Sequence, residues 1–384
     1  MATALPAVVV IATFPSLSRF LAPSPLPSSL VSTVSSAASR SDTLTVLIRT
    51  RTHSPTLDPW SPPDPHSHSS SSSSATPPSA PHPSAPLSSP VSLWLNLERA
   101  LAQLYSTATS TFLRRGNVLA RVDVVVEPIR QVPFCVPNGT EVERWDWDTD
   151  GGDTVDVDGK GKGVQKDEEQ ERLPRPAQEG TEARPPIYDV VALGGTFDHL
   201  HAGHKILLSM ACSIASRKVI VGVSDDTLLK NKKLAHLLEP LSVRMRNVER
   251  FMDLVRPGVE KEVVPLTDVY GPTAHDPSIQ ALVVSDETRA GGDTINTLRA
   301  EKGLNPLDIH VINLVADDHP PSPATATSPI PNPRPSPVPA VKVEPAAKMG
   351  STGIREWIER QRLKERGSGG GAGEEVLDKA GGTI

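Results

Sequence analysis

The sequence has little cysteine, few aromatic residues and no long apolar run. Only Cys135 and Cys212 occur among the 384 residues, and neither belongs to a Cys-x-x-Cys pair. This excludes a disulfide framework and a cysteine-based zinc or redox motif, and it favours a reducing compartment such as the cytoplasm. No run of 18 apolar residues occurs, so no membrane-spanning helix is predicted. Because hydrophobic residues make up only 37% of the chain, one core through its whole length is not expected.

An excess of basic charge is also missing. The 39 Lys and Arg residues are outnumbered by 45 Asp and Glu residues, which gives a formal net charge of −6 and argues against a nucleic-acid partner. The first 41 residues contain Arg19 and Arg40 but no acidic residue, which is a weak mitochondrial-targeting pattern. The alternative is a buried strand at residues 8–11. We expect a cytoplasmic protein, and a nuclear location is also compatible.

Proline, in contrast, is abundant and clustered. Residues 53–90 hold 13 serines and 11 prolines, and residues 317–347 hold ten prolines. Residues 141–184 carry 14 acidic and 7 basic side chains. Such segments bury too little apolar surface to offset chain entropy. We therefore predict disordered inserts at 53–90 and 317–347 and an acidic disordered linker at 141–186.

Two ordered domains remain between these segments. A smaller N-terminal α/β unit is predicted at 1–140, with strands near 43–49 and 122–126 and a helix at 91–115. It contains no cluster of chemistry-bearing side chains, which favours a packing or docking role. The second domain is predicted at 187–366 and is followed by a flexible glycine-rich tail at 367–384.

The second domain alternates apolar strands with amphipathic helices. Strands are predicted at 188–193, 218–223, 262–265, 280–284 and 310–314, and helices at 206–215, 242–255 and 294–302. This order predicts an α/β fold with a doubly wound, parallel, five-stranded sheet. Ligands bind such sheets beyond the carboxyl ends of the strands.

A motif that suits phosphate follows the first of these strands. Residues 194–205 are GGTFDHLHAGHK, and at such a strand-to-helix turn the free backbone N–H groups and the helix dipole favour an anion. His201 and His204 can lie on one helix face and donate to phosphate oxygens, while Gly203 allows close approach. One alternative is surface histidines on a loop. Another is a metal site formed by His199, His201 and His204, although that set is short of ligands.

A second motif precedes the last predicted helix. Residues 348–355 are KMGSTGIR. Ser351 or Thr352 would cap the helix, and Arg355, about one turn later, would offer a planar donor fork to phosphate. The alternative is an ordinary capped helix.

These motifs resemble the GxFDxxHxGH and I-S-S-T-x-x-R signatures of the HxGH nucleotidyltransferase superfamily. Residues 229–233 (LKNKK), 270–273 (YGPT) and 282–288 (LVVSDET) are similar to the eukaryotic, fungal-type, monofunctional phosphopantetheine adenylyltransferase family. The resemblance implies a Rossmann-like nucleotidyltransferase in coenzyme A biosynthesis. Its substrates would be ATP and 4′-phosphopantetheine, and its products dephospho-coenzyme A and pyrophosphate.

The resemblance also implies roles for individual residues. Catalytic roles fall on Thr196, His204, Lys232 and Lys233. Nucleotide-binding roles fall on Gly194, Gly195, Phe197, His201, Gly203, Ser351, Thr352 and Arg355. Further phosphate or substrate contacts are implied for Lys230, Ser285 and Arg289, with the backbone at 291–292 as an alternative. Mg²⁺ is expected to arrive with ATP, without metal ligands from the protein.

The sequence is also compatible with two other functions. The chain is compatible with another HxGH nucleotidyltransferase, either a nicotinamide mononucleotide adenylyltransferase or a cytidylyltransferase. It is also compatible with a non-catalytic scaffold that associates with other enzymes of coenzyme A biosynthesis.

Overall fold

The computed structural model describes residues 5–22, 25–51, 90–150, 187–312 and 350–368. The predicted proline-rich insert at 317–347 lies outside these residues, as do the Ser/Pro-rich insert up to residue 89, positions 151–186 of the predicted linker, and the tail beyond residue 368.

The N-terminal unit is built around a parallel sheet. Its elements in chain order are β1 (Ala7–Phe14), α1 (Leu17–Phe20), α2 (Ser28–Ser39), β2 (Thr43–Thr50), α3 (Pro90–Arg114), β3 (Arg121–Val126), α4 (Glu127–Arg130), β4 (Glu141–Asp146) and α5 (Trp147–Asp150). The strand order is β3-β2-β1-β4. The apolar run at residues 8–11 therefore lies in a central strand, as its buried pattern predicted.

Strand β4 and helix α5 correct the predicted domain boundary at residue 140. The linker prediction rested on charge, but β4 pairs in parallel with β1. Trp145 of β4 is 2% exposed, and its ring centroid lies 5.2 Å from that of Phe14. Charged side chains are common on edge strands because one side of such a strand meets water. This strand could therefore not be predicted from the amino-acid composition alone.

The second unit contains the predicted five-stranded sheet. Its elements are β5 (Tyr188–Gly195), α6 (Ala202–Ile214), β6 (Ala215–Ser224), α7 (Leu241–Val255), β7 (Glu260–Leu266), β8 (Ala281–Ser285), α8 (Arg289–Glu301), β9 (Asp308–Ile312) and α9 (Ser351–Ser368). All pairings are parallel in the order β7-β6-β5-β8-β9. Several predicted bounds were wrong, because α6 begins at residue 202 and not at 206, α8 begins before residue 294, and α9 continues past residue 366.

Helices cover both faces of this sheet. Val191 and Leu193 of β5 face the cluster that contains residues of α6 and α7. Val190 and Ala192 face the opposite side, where Ile295 of α8 packs. Helix α3 of the N-terminal unit packs against α6, so the two units share one apolar core. Within the described ranges, no helix is long and apolar enough to cross a membrane.

Candidate active site

The candidate site lies where the order of strands in the second sheet reverses. From β5 the chain first adds β6 and β7 on one side and then adds β8 and β9 on the other. Gly195, the last residue of β5, pairs with Val223 of β6, and Leu193 pairs with Val283 of β8. Ligands bind in the crevice at such a switch point. The structure therefore brings together the ends of the three strands that the sequence had indicated.

The loop after β5 has an unusual backbone conformation. Phe197 and His199 have φ angles of 51° and 47°, which costs about 1–3 kcal/mol for a non-glycine residue. Glu239 helps to hold the loop, since its carboxylate accepts from the His199 amide at 2.7 Å and its own amide donates to Asp198 at 2.8 Å. A Cβ atom on Gly195 would lie 3.2 Å from the Phe197 ring. Glycine therefore lets this ring close over the strand end.

Both histidines of the H-x-G-H motif lie at the start of α6. The His201 and His204 rings stack with centroids 3.8 Å apart, and the Phe197 ring lies 5.1 Å from His204. Nδ1 of His204 is buried and has no hydrogen-bond partner. Because a buried polar atom usually has a partner, His204 retains hydrogen-bonding capacity for a ligand.

These surroundings keep both imidazoles neutral. Burial, with smaller contributions from Lys205 and His199, lowers the pKa of His201 to about 3. Burial and then His201 and Lys205 also move the pKa of His204 well below its ordinary value. Both side chains retain some solvent-exposed surface, but protein atoms surround them densely. At neutral pH the pair can therefore serve as hydrogen-bonding groups and not as cations.

Acid should destabilise the protein through His201. The folded-state pKa of about 3 lies below the ordinary value of 6.5, so the unfolded chain binds more protons between these values. The stabilisation is fully present above pH 6.5 and is lost as the pH falls toward 3. We expect His201→Gln to reduce the difference in free energy of unfolding between neutral pH and about pH 5. Urea unfolding of both proteins at both pH values measures this, and an unchanged difference would contradict it.

Helix α9 docks directly onto the loop after β5. The Arg355 guanidinium forms a buried ion pair with the Asp198 carboxylate, and the Ser351 hydroxyl donates to the Asp198 carbonyl at 2.8 Å. Arg355 also donates to the Lys233 carbonyl at 3.1 Å and to Thr352 Oγ1 at 3.2 Å. Two motifs separated by more than 140 residues thus form one site.

This docking changes the predicted roles at the start of α9. The helix begins at Ser351, and the Gly350 carbonyl accepts from the Ile354 amide at 3.1 Å. The hydroxyls of Ser351 and Thr352 bond to Asp198 and Arg355, so the prediction that one of them caps the helix was wrong. Phosphate binding by Arg355 stays a prediction, and its guanidinium is engaged by protein acceptors.

The predicted lysines lie on an exposed turn between β6 and α7. Lys233 pairs with Glu356 of α9 at 2.5 Å. Lys230 and Lys232 are exposed, and within the described part of the chain neither forms an ion pair. Flexible cations of this kind remain available to a polyphosphate.

A turn follows directly after the end of strand β8. Ser285 bonds to Thr288 at 3.1 Å, and Arg289 is exposed at the start of α8. Residues 291–292, the alternative phosphate contact, precede the predicted helix start at residue 294, but they lie in the first turn of α8.

A buried arginine was missed by the sequence reasoning. Arg244 of α7 is 0% exposed and donates to the carbonyls of Thr196 and Ser224, both at 2.8 Å. It also pairs with Asp226 at 2.6 Å. It therefore ties the loop after β5 to the end of β6. No local signal distinguishes it from a surface arginine, because its burial depends on these distant carbonyls.

The histidines are not arranged as a metal site. Nε2 of His199 lies 3.0 Å from the Leu237 carbonyl, whereas His201 stacks on His204. Across the described ranges, no three His, Cys, Asp or Glu side chains are grouped to hold a metal ion.

Comparisons with known proteins show which proteins this chain is similar to. Residues 192–356 match the family model described as cytidylyltransferase-like. Phosphopantetheine adenylyltransferase of Saccharomyces cerevisiae is 37% identical over 226 residues, covering 57% of this chain and 71% of the yeast protein. The protein of that name from Pyrobaculum aerophilum is 39% identical over 129 residues, covering 34% of this chain and 82% of the archaeal one. A solved structure from Archaeoglobus fulgidus, described as a protein with unknown function, is 35% identical, covers 32% of this chain and 89% of its own, and has a TM-score of 0.29.

Proposed function

Because the chain belongs to the phosphopantetheine adenylyltransferase family, we propose that it transfers the adenylyl group of ATP to 4′-phosphopantetheine. The products are dephospho-coenzyme A and pyrophosphate. The observation that carries this proposal is the Asp198–Arg355 pair, which joins the H-x-G-H loop and the S-T-x-x-R helix at the switch point of the sheet. Helix α9 thereby brings Ser351 and Thr352 to the loop.

The reaction needs little chemistry from side chains. A phosphate oxygen of 4′-phosphopantetheine attacks the α-phosphorus of ATP, and a new P–O bond forms. The bond from the α-phosphorus to the bridging oxygen breaks, and pyrophosphate leaves with that electron pair. The attacking phosphate is already ionised, so no proton has to be removed. Positioning and charge stabilisation can supply the rate.

The surroundings of each residue indicate whether it would position a substrate or stabilise charge. We propose that Thr196 orients the attacking phosphate and that His204, kept neutral, donates to an α-phosphate oxygen. His201 supports the His204 ring by stacking and contacts the nucleotide side. The turn that carries Lys232 and Lys233 meets the β- and γ-phosphates as charge develops on the leaving group. Lys230 is the alternative cation.

Other predicted residues would shape the nucleotide site. Gly194 and Gly195 let the triphosphate approach the backbone, and Phe197 packs behind His204. Ser285 and Arg289 lie at the end of the neighbouring strand β8, and we propose that they contact phosphate groups or the second substrate.

Magnesium would enter the site as part of the nucleotide substrate. The carboxylate in the loop, Asp198, is engaged by Arg355 and by the Glu239 amide. We propose that ATP enters as its magnesium complex, with phosphate and water oxygens as the main ligands. The cation would neutralise charge on the triphosphate.

The proposal is tested by the choice of acceptor. Purified protein with ATP and magnesium should release pyrophosphate with 4′-phosphopantetheine, and mass spectrometry should identify dephospho-coenzyme A. Nicotinamide mononucleotide, CTP in place of ATP, and omission of the acceptor are the controls. Turnover only with nicotinamide mononucleotide or CTP would move the chain to another nucleotidyltransferase activity. A folded protein that releases no pyrophosphate in any of these mixtures would favour a function as a non-catalytic scaffold.

A further inference from the structure

The N-terminal unit contacts helix α6, which carries His204, through a buried ion pair. Lys205 directly follows His204 in α6, and its ammonium lies 2.9 Å from Asp123 of β3. The same ammonium donates to the Val122 carbonyl at 2.6 Å. The side chains of Lys205 and Asp123 are only 7% and 3% exposed. This polar contact therefore crosses between the two units inside their shared apolar core.

Asp123 is held firmly on its own side of the interface. Its second carboxylate oxygen accepts from Nε of Arg121 at 2.6 Å. The next amide along β3, that of Val124, donates to the buried Tyr105 hydroxyl of α3 at 3.1 Å. On the other side, the Lys205 ammonium lies 5.8 Å from the centre of the Phe251 ring in α7. Two elements therefore contact the ammonium: β3 through the Val122 carbonyl and the Asp123 carboxylate, and α7 through the Phe251 ring.

The start of α6 depends on such tertiary contacts. His201 occupies the N-cap position, but its side chain does not cap the helix. The Lys205 amide donates to the His201 carbonyl at 3.0 Å, so Lys205 closes the first turn. Neighbouring residues of a helix with 3.6 residues per turn differ in direction by about 100°. Fixing the Lys205 side chain therefore also fixes the direction of His204.

We propose that Asp123 is a positioning residue of the active site. Through Lys205 it holds α6 in the rotation that stacks His204 on His201 and directs the pair into the site. The N-terminal unit is then part of the catalytic architecture and not only a packing partner. The kinetic part of this inference rests on the proposed function.

The kinetic test compares Asp123→Asn with the unchanged full-length chain. We expect kcat to fall between about 10- and 100-fold, because a small misplacement of a reacting group has effects of this size. KM for ATP should change less than about threefold, since ground-state contacts remain. Lys205→Met should lower kcat to a similar extent. The double variant should have a kcat only slightly below that of either single variant, because both substitutions remove the same contact. The matched control is Glu127→Gln, which breaks the 3.1 Å pair with Arg49 inside the N-terminal unit and should leave kcat unchanged.

A spectroscopic readout separates positioning from stability. In histidine-labelled protein without substrate, the ring proton resonances of His201 and His204 should shift in Asp123→Asn and stay in place in Glu127→Gln. Unchanged resonances together with a normal kcat would overturn the proposal. If the unchanged chain has no activity, the proposed function fails, and the resonances still decide whether Asp123 positions the rings. If Asp123→Asn does not fold, Asp123→Glu is the second variant, because it keeps the charge and displaces the carboxylate by one methylene. A lowered kcat together with shifted ring resonances in this variant supports the proposal. A normal kcat together with unshifted ring resonances refutes it.

Discussion

Replacing His204 with alanine should lower kcat by about 10²-fold or more, the scale of losing a preorganised donor to developing charge. The neutral ring is held between Phe197 and His201, so it needs no reorientation when charge accumulates on the α-phosphate oxygens. The substitution removes this donor and leaves the Asp198–Arg355 contact in place. Pyrophosphate release at saturating ATP and 4′-phosphopantetheine measures the loss. Urea unfolding of the variant should show that it remains folded.

A second histidine provides the control. His236 lies between β6 and α7, and its side chain is 60% exposed and contacts Glu359. His236→Ala should leave kcat unchanged, because a contact between exposed polar side chains contributes little. A near-normal kcat in His204→Ala would remove that residue from the mechanism. An equal loss in both variants would indicate a general effect on the domain.

Replacing Arg355 with methionine should lower the free energy of unfolding by about 3–5 kcal/mol, because it leaves a buried carboxylate without its partner. Asp198 is 0% exposed and Arg355 is 1% exposed, so water cannot replace the lost contact. We also expect pyrophosphate release to fall, since Ser351 and Thr352 would lose their place beside the loop. Urea unfolding followed by circular dichroism measures the change in stability.

An exposed ion pair of the same helix is the matched control. Glu356→Gln breaks the pair with Lys233, whose side chain is 68% exposed, and should cost less than about 1 kcal/mol. Combining Arg355→Met with Asp198→Leu should recover part of the stability, because the buried charge is then gone. A loss below about 1 kcal/mol in Arg355→Met would show that Asp198 is hydrated and that α9 is not anchored by this pair.

Part of the fold could be predicted because its signals are local. The apolar runs of β5, β6 and β8 and the helical spacing of α7 report periodicity over a few residues. The confirmed five-stranded sheet follows from their alternation and from right-handed crossover. The strand β4 could not be found in this way. Its charged edge-strand residues resemble a linker, and only pairing with β1 and the contact of Trp145 with Phe14 reveal it.

The same distinction between local and long-range signals applies to the residues of the candidate site. Backbone requirements such as Gly195 at the end of β5, and the contiguous string from residue 194 to 205, are visible in the sequence because neighbouring residues specify them. Arg244 and Asp123 are not visible in this way. A charged side chain is normally exposed, and whether it is buried depends on acceptors that the fold brings from elsewhere.

The amino-acid order of this chain was therefore enough to establish the α/β class, the doubly wound second sheet and the resemblance to the adenylyltransferase family. Tertiary structure decided how α9 joins the loop through Asp198 and Arg355, why the motif histidines are neutral, and how Asp123 reaches helix α6 through Lys205. The physical reason is the distance along the sequence over which each kind of interaction acts. Periodicity and turn chemistry act between near neighbours, whereas burial, pKa and ion pairing depend on groups far apart in the sequence that meet only in the folded core.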